Sequence, residues 1–476
     1  MIKSFAEKIK NEEIDIVEHT YKIIEECKEL NNEYGYFNTI SQDLALHQAK
    51  EIKKLIKAKD RSIKNKKLLG VAVSVKDSIC VKDVESAAGA KILKGYRPLF
   101  NATVIEKVLN EGAIIIGKTA QDEFGFGAFS VNTKLSIPKN PFDKERSCGG
   151  SSGGAAGLAQ KLNHHIALGE STGGSIVTPA SFCGVFGLCP TYGRVSRYGL
   201  IDFGNSLDKI GPIGKSAMDA ALLMEAISGH DINDSTSLNV NNENYPDYLN
   251  KPVKGMKIGI IKEAFSEGVE KGVEKKVRDG ISKLEEIGVK TEEISLELPI
   301  KYGISIYYMI ATSEASTNLA KYCGMRYGKS EKLEGSFNEY FTKVRSENFT
   351  EEAKRRIMIG TFARMAGHRD AFYIKAAKVR TLMINEYKKA FKKFDALVSP
   401  TVPMLAPKFS EIEKLTPLQH YLADVMTVSP NVAGIPHLNV PLGFEKNLPV
   451  GMLLMSDHLQ EGKLLQLGSV FDKKID

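Results

Sequence analysis

The 476-residue chain has no run of about 18 apolar residues, so a membrane-spanning helix is excluded. Its six cysteines (Cys27, Cys80, Cys148, Cys183, Cys189 and Cys323) lack any C-x-x-C spacing, which argues against a zinc site or a disulfide framework and for reduced, buried thiols. The nine histidines include no H-E-x-x-H pair, and His164 and His165 are adjacent, so they cannot put two ligands on one helix face. No metal site is expected. The start, Met1-Ile2-Lys3-Ser4-Phe5-Ala6-Glu7-Lys8, turns charged before an apolar stretch forms, so no secretory leader is expected and the cytoplasm is the expected compartment. A strong charge bias is also missing. The 65 basic and 58 acidic residues leave a net +7, which over this length requires no polyanionic partner.

What is present is the balance of a soluble globular protein, 42% apolar and 26% charged, in a length that suits one large domain. Ile16, Thr20, Ile23, Ile24 and Cys27 recur at helical spacing, as do Ala45, Ala49, Ile52, Leu55 and Ile56. The lysine-rich stretch 57–67 reads as a solvated loop. Strand character starts at Leu69–Asp77, where Val71, Val73 and Val75 share one face and Ala72, Ser74 and Lys76 the other. A short helix over Thr103–Asn110 leads to a buried strand at Gly112–Gly117. Further strands fit His165–Leu168, Lys257–Ile261, Ala396–Val398, Leu438–Val440 and Gly451–Met455, and helices fit Ser216–Ile227, Val273–Ile287 and Ala371–Phe391. Strands alternating with helices predict an α/β fold around a mixed sheet, and no linker or repeat divides the chain.

Residues 149–214 hold 15 of the 41 glycines, interleaved with core residues such as Ile166, Leu168, Phe182, Val185 and Phe186. A flexible linker would lack those, so the glycines read as points of close backbone approach. Two nearby motifs have rival readings. Gly112–Thr119 matches G-x-x-x-x-G-K-[ST], but its variable positions, Ala113-Ile114-Ile115-Ile116, prefer a strand to a phosphate cradle. Gly169-Glu170-Ser171-Thr172-Gly173 matches the nucleophile elbow G-x-S-x-G, which would make Ser171 a nucleophile served by Asp395 and His437 or His458. Pro179 and the lack of a clear following helix count against that.

The third constellation joins Gly149-Gly150-Ser151-Ser152-Gly153-Gly154 to Thr172-Gly173-Gly174-Ser175-Ile176, with Lys76 at the end of a strand. A lysine serves as a base when burial and hydrogen bonding lower its pKa from about 10.4 towards neutrality. A serine between lysine and nucleophile would relay the proton, and glycines beside the nucleophile bare N–H groups for an oxyanion.

In these residues the chain resembles the amidase signature family over nearly its whole length. The resemblance implies an amidase-signature α/β fold, with a large mixed β-sheet covered by helices on both sides. It implies one amidase domain over 1–476, with 1–67 a helical N-terminal part and 68–476 the core. It implies a Ser-cisSer-Lys triad of Lys76, bridging Ser151 and acylated Ser175, with the oxyanion on the backbone of Thr172, Gly173 and Gly174; Ser171 is then not the nucleophile. The stretches Pro190–Leu200, Ser206–Pro212, Glu314–Ala320 and Lys354–Ile357 are similar to the branch of the family that works in tRNA-dependent amidotransferases. That branch binds glutamine at positions that fall on Tyr307, Arg356 and Asp424. Arg356 suits the α-carboxylate and Asp424 the α-ammonium.

The likeness further implies that this chain binds no cofactor and passes ammonia to a B subunit. That partner uses ATP and Mg²⁺ to convert Glu-tRNA(Gln) to Gln-tRNA(Gln), and some such complexes carry a small C subunit. The alternative is a stand-alone amidase acting on another small amide. The chain departs from the family pattern at Ser171, usually Asp; at Val177, usually Arg; at Cys189, usually Lys; and at Cys148, usually Pro.

Overall fold

The β-branched runs of this chain become strands, and the glycine-rich runs become the places where helices press closest to them. A computed structural model describes residues 2–472. It forms one eleven-stranded sheet: β1 (Phe37–Ile40), β2 (Ala72–Lys76), β3 (Ile114–Thr119), β4 (His165–Ser171), β5 (Phe186–Cys189), β6 (Lys209–Gly214), β7 (Lys257–Ile261), β8 (Lys290–Ile294), β9 (Ala396–Pro400), β10 (His437–Glu445) and β11 (Leu448–Met455). The order is β1-β3-β2-β4-β6-β5-β10-β11-β9-β7-β8. β2 lies parallel between β3 and β4, and β7 parallel between β9 and β8. The antiparallel pairs β4–β6, β6–β5, β5–β10, β10–β11 and β11–β9 join these two parallel ends, so the sheet is mixed, as expected.

Every residue of β2, β3, β4, β6, β9 and β11 is buried, so both faces of the sheet are covered there. Residues 71–76 are therefore buried on both sides, whereas their alternation had suggested two unlike faces; strands flanked by parallel neighbours carry cover on each face. The helix Gly153–Lys161 packs on β4 and β6, Ala217–Ile227 on β6, and Val177–Cys183 on β10 and β11.

The N-terminal part is not purely helical. The helices Ile2–Lys10, Ile16–Tyr34 and Gln42–Lys57 flank β1, which adds an antiparallel edge to β3. Asp15 caps the second of them by accepting from the amides of Val17 and Glu18, and Gly35 ends it at φ 71°. Residues 57–67 form an almost wholly exposed loop with one 3₁₀ turn, Arg61–Ile63. The helix expected over Ala371–Phe391 is α-helical from Lys375 and begins as a π-turn at Asp370–Ile374. Among the described residues no helix is long and apolar enough to cross a membrane. Cys27, Cys80, Cys148, Cys183 and Cys189 are buried and Cys323 half-buried, all as free thiols.

Candidate active site

β2 and β4 run parallel, so their C-terminal ends open on the same edge of the sheet. Lys76 is the last residue of β2, and Glu170 is the next to last of β4. The fully buried Lys76 Nζ lies 2.6 Å from Ser151 Oγ, 2.8 Å from the Glu170 carbonyl oxygen and 2.8 Å from Glu170 Oε2. Lys76 and Ser151 therefore come together as expected, but with a carboxylate that sequence reasoning did not assign.

Ser151 sits on a loop held from below. The Asp122 carboxylate accepts from the amides of Ser130 (2.9 Å) and Asn132 (2.8 Å), while Ser130 Oγ donates to the Gly149 carbonyl (2.8 Å). A Cβ on Gly150 would fall 2.3 Å from Asp122 Oδ2, so only glycine fits. Burial raises the Asp122 carboxyl to about 6. The Gly150–Ser151 peptide bond is cis.

Ser175 follows the end of β4 and precedes the short helix Val177–Cys183, in which Pro179 occupies the first turn, where no N–H partner is lost. Ser152 N donates to the Ser175 carbonyl at 3.2 Å, which ties the two loops together. Among the described residues no hydrogen bond joins the Ser151 and Ser175 hydroxyls, so the structure brings Lys76 and Ser151 into contact and not Ser151 and Ser175. Glycine is needed between β4 and Ser175. A Cβ on Gly173 would meet the Tyr307 ring at 2.8 Å, and one on Gly174 would meet Thr427 Oγ1 at 2.1 Å. Among the described residues the N–H groups of Gly173, Gly174 and Ser175 have no backbone acceptor, which leaves three donors beside the Ser175 hydroxyl.

The elbow arrangement does not form. Among the described residues Ser171 makes no hydrogen bond to Lys76; its Oγ donates at 3.5 Å to Asn431 Oδ1. His437 Nδ1 faces the Ile435 carbonyl, His458 faces Asp457, and Asp395 serves the Lys257 amide and Lys463. Cys189 donates to the same Asn431 oxygen at 3.4 Å, so two of the departures from the family pattern meet on one amide. Nor is Gly112–Thr119 a phosphate cradle. Its residues from Ile114 onward form β3, and Lys118 is buried against Ser86 Oγ (2.7 Å) and the Asp77 carbonyl (3.1 Å).

The expected substrate residues lie on three separate helical segments. Tyr307 is on Glu297–Asn318, Arg356 on Glu351–Arg364, and Asp424 just beyond Pro417–Leu422. Tyr307 covers Gly173, and Asp424 Oδ1 accepts at 3.4 Å from Thr178 Oγ1, at the start of the helix that follows Ser175. Arg356 is ringed by Phe126, Phe203, Tyr308 and Tyr421, with ring centroids 5.0 to 5.7 Å away. Its Nε donates to Glu352 Oε1 at 2.8 Å, a buried partner that sequence reasoning missed. A cavity of about 230 Å³ opens beside Arg356, Glu352, Tyr308 and Tyr421, and no triad residue lines it. Burial pushes the Asp424 carboxyl up to about 7 against the pull of Arg356. Among the described residues no group of three His, Cys, Asp or Glu is placed to hold a metal ion.

Residues 18–465 match the family model described as Amidase. The A subunit of glutamyl-tRNA(Gln) amidotransferase from Thermoanaerobacter pseudethanolicus is 43% identical over 476 residues, covering 99% of this chain and 96% of that protein. The crystal structure of the corresponding glutamyl-tRNA(Gln) amidotransferase chain from Thermotoga maritima superimposes with a TM-score of 0.78 at 34% identity, covering 97% of this chain and 91% of that one. The peptide amidase of Stenotrophomonas maltophilia superimposes with a TM-score of 0.83 at 26% identity, over 99% and 96%.

Proposed function

This chain belongs to the amidase family, and from that premise we propose that it is the glutamine-hydrolysing subunit of a tRNA-dependent amidotransferase. The observation that carries the reading is the 2.6 Å contact between Lys76 Nζ and Ser151 Oγ, at the edge where Ser175 and its free amides also lie. Ser175 Oγ attacks the side-chain amide carbon of glutamine. Its proton passes to Ser151, and the Ser151 proton passes to a neutral Lys76. The oxyanion is held by the backbone amides of the Thr172–Ser175 turn, each typically worth about 10²–10³ in rate. The proton returns along the same path to the leaving nitrogen, ammonia departs, and water resolves the glutamyl ester.

Arg356 holds the α-carboxylate and Asp424 the α-ammonium, with Tyr307 against the oxyanion turn. The main apolar core, which runs from Ile2 to Leu467, supports reading 1–476 as one amidase domain. The ammonia goes to a B subunit that uses ATP and Mg²⁺ to turn Glu-tRNA(Gln) into Gln-tRNA(Gln) in the cytoplasm, with or without a small C subunit.

The test is co-purification with the B subunit followed by transamidation with glutamine as the only nitrogen source. Gln-tRNA(Gln) should form, and glutamine hydrolysis should rise when partner, tRNA and ATP are added. Fast turnover of varied amides by the chain alone, with indifference to glutamine, would favour a stand-alone amidase instead.

The Asp424 carboxyl, raised to about 7 by burial, gives a second check. Below that pH the group is neutral and holds an ammonium poorly; above it the carboxylate forms. The KM for glutamine should therefore fall as pH rises from 6 to 8. In Asp424→Asn the KM should be about tenfold higher at pH 8 and flat across that range, as steady-state kinetics would show.

A further inference from the structure

Glu170 is the buried group that the reaction scheme leaves without a role. Its side chain is 4% exposed, and it offers Lys76 two oxygens: the carbonyl and Oε2, each 2.8 Å from Nζ. We propose, resting on the Lys76–Ser151–Ser175 reading, that Glu170 is a positioning residue that aims the Lys76 amine at Ser151 and stabilises the ammonium formed as Ser175 attacks. A neutral amine has two N–H bonds and one lone pair. With both N–H groups donated to the oxygens of Glu170, the lone pair is left facing the Ser151 hydroxyl, 2.6 Å away. When Lys76 gains a proton it has three N–H groups and three acceptors in place, and the carboxylate balances the new charge without any side chain moving.

Behind Glu170, Thr172 ties its carboxylate to a second buried acid. Thr172 Oγ1 lies 3.0 Å from Glu170 Oε1 and 2.8 Å from Asp208 Oδ1. One hydroxyl hydrogen cannot serve two carboxylates, so the pair is satisfied when Asp208 carries a proton, donates it to Thr172 Oγ1, and Thr172 donates to Glu170. Asp208 is fully buried, with Oδ2 accepting from the amides of Phe203 (2.9 Å) and Gly204 (3.0 Å). Burial and the neighbouring Glu170 charge both raise its carboxyl well above the usual range, in agreement with Asp208 as the protonated partner. Other ionisable groups beside this pair are Asp122 below the Ser151 loop, Cys189, Tyr307 and, opposite Ser171 on β6, the buried Lys209.

The experiment measures kcat, KM and the pH profile of glutamine hydrolysis for the full chain with its B subunit. The variants are Glu170→Gln, Glu170→Asp, Ser175→Ala, Lys76→Ala and the Lys76→Ala/Glu170→Gln double. Glu170→Gln should lower kcat about 100-fold and leave KM within about threefold, and Glu170→Asp should recover about tenfold of that loss. Removing an anion beside an amine favours its neutral form, so the acid limb of kcat/KM should move to lower pH. In the Lys76→Ala background the Gln substitution should cost little more. The proposal is overturned if Glu170→Gln keeps the wild-type rate and acid limb while Ser175→Ala is inactive, or if the Glu170 and Lys76 losses multiply in full. A Ser175→Ala enzyme that stays active would instead sink the triad reading itself. Should Glu170→Gln not fold, Glu170→Asp carries the test: its shorter side chain should lower kcat at unchanged KM, and an unaltered kcat overturns the proposal.

Discussion

Ser175→Ala lowers glutamine hydrolysis by at least about 10⁴-fold, while Ser171→Ala stays within about threefold of the native rate. The contrast follows from where β4 sends its last side chains. Ser175 lies beyond the strand with the free amides of Gly173, Gly174 and itself beside it. Ser171 Oγ instead donates at 3.5 Å to Asn431 Oδ1, and His437 and His458 are engaged with the Ile435 carbonyl and Asp457. An ammonia-release assay on both variants, with mass spectrometry of any trapped acyl ester, decides the matter. Loss of activity in Ser171→Ala with Ser175→Ala unharmed would reverse the assignment.

The second large effect is expected at Lys76. Lys76→Ala should lower kcat by about 10³-fold, since the base and its path through Ser151 are both gone. It should also destabilise the fold, because it leaves the buried Glu170 side chain without the N–H donor that satisfies it, and stranding a buried charged group typically costs about 3–5 kcal/mol. The two effects separate in the double variant. Adding Glu170→Gln removes the stranded charge, so thermal denaturation should show part of the stability returning while ammonia release stays low. Recovery of activity along with stability would mean that Lys76 matters for packing alone.

Where the chain advertised itself, it did so through short patterns with one physical cause. The β-branched runs at Ile114–Ile116 and Lys257–Ile261 and the apolar stripe of Ile16–Cys27 became the elements they suggested. The helix Gly153–Lys161 did not show in the pattern, since its three glycines oppose helix formation. They are there because the helix presses on its neighbours: a Cβ on Gly157 would fall 2.3 Å from the Tyr36 ring, and one on Gly154 would fall 2.5 Å from the Tyr36 carbonyl. β8, Lys290-Thr291-Glu292-Glu293-Ile294, is hidden for the opposite reason. It is an edge strand with exposed charges and only β7 as a partner. The helix Glu297–Asn318 is apolar on most faces because it packs between the helices Glu351–Arg364, Lys375–Phe391 and Val428–Ala433, so it shows no clean stripe.

The candidate site was legible in the same uneven way. Lys76 and Ser151 were readable from motif and resemblance, and the structure brings them into contact. Glu170, Asp208 and Glu352 were not. Glu170 and Asp208 take their meaning from partners distant in sequence, Lys76 and Thr172, while Glu352 stands four residues before Arg356 on one helix, a spacing in plain view whose burial no local pattern encodes. The available signal for Glu170 was modest but real: the single carboxylate in a wholly buried strand, next to a strand that ends in lysine.

Asn431 gives this arrangement a temporal order. Its amide nitrogen donates to the carbonyls of Thr172 and Leu207, and so fastens the turn before Ser175 from a helix near the end of the chain. The middle of the sheet closes just as late, since β5 has β10 as its outer neighbour. A nascent polypeptide that has emerged from the ribosome through residue 400 thus holds Lys76, Ser151 and Ser175 but lacks the brace that shapes their turn. The turn proposed to hold the oxyanion is braced only once the last tenth or so of the polypeptide, with Val428–Ala433 in it, has been made.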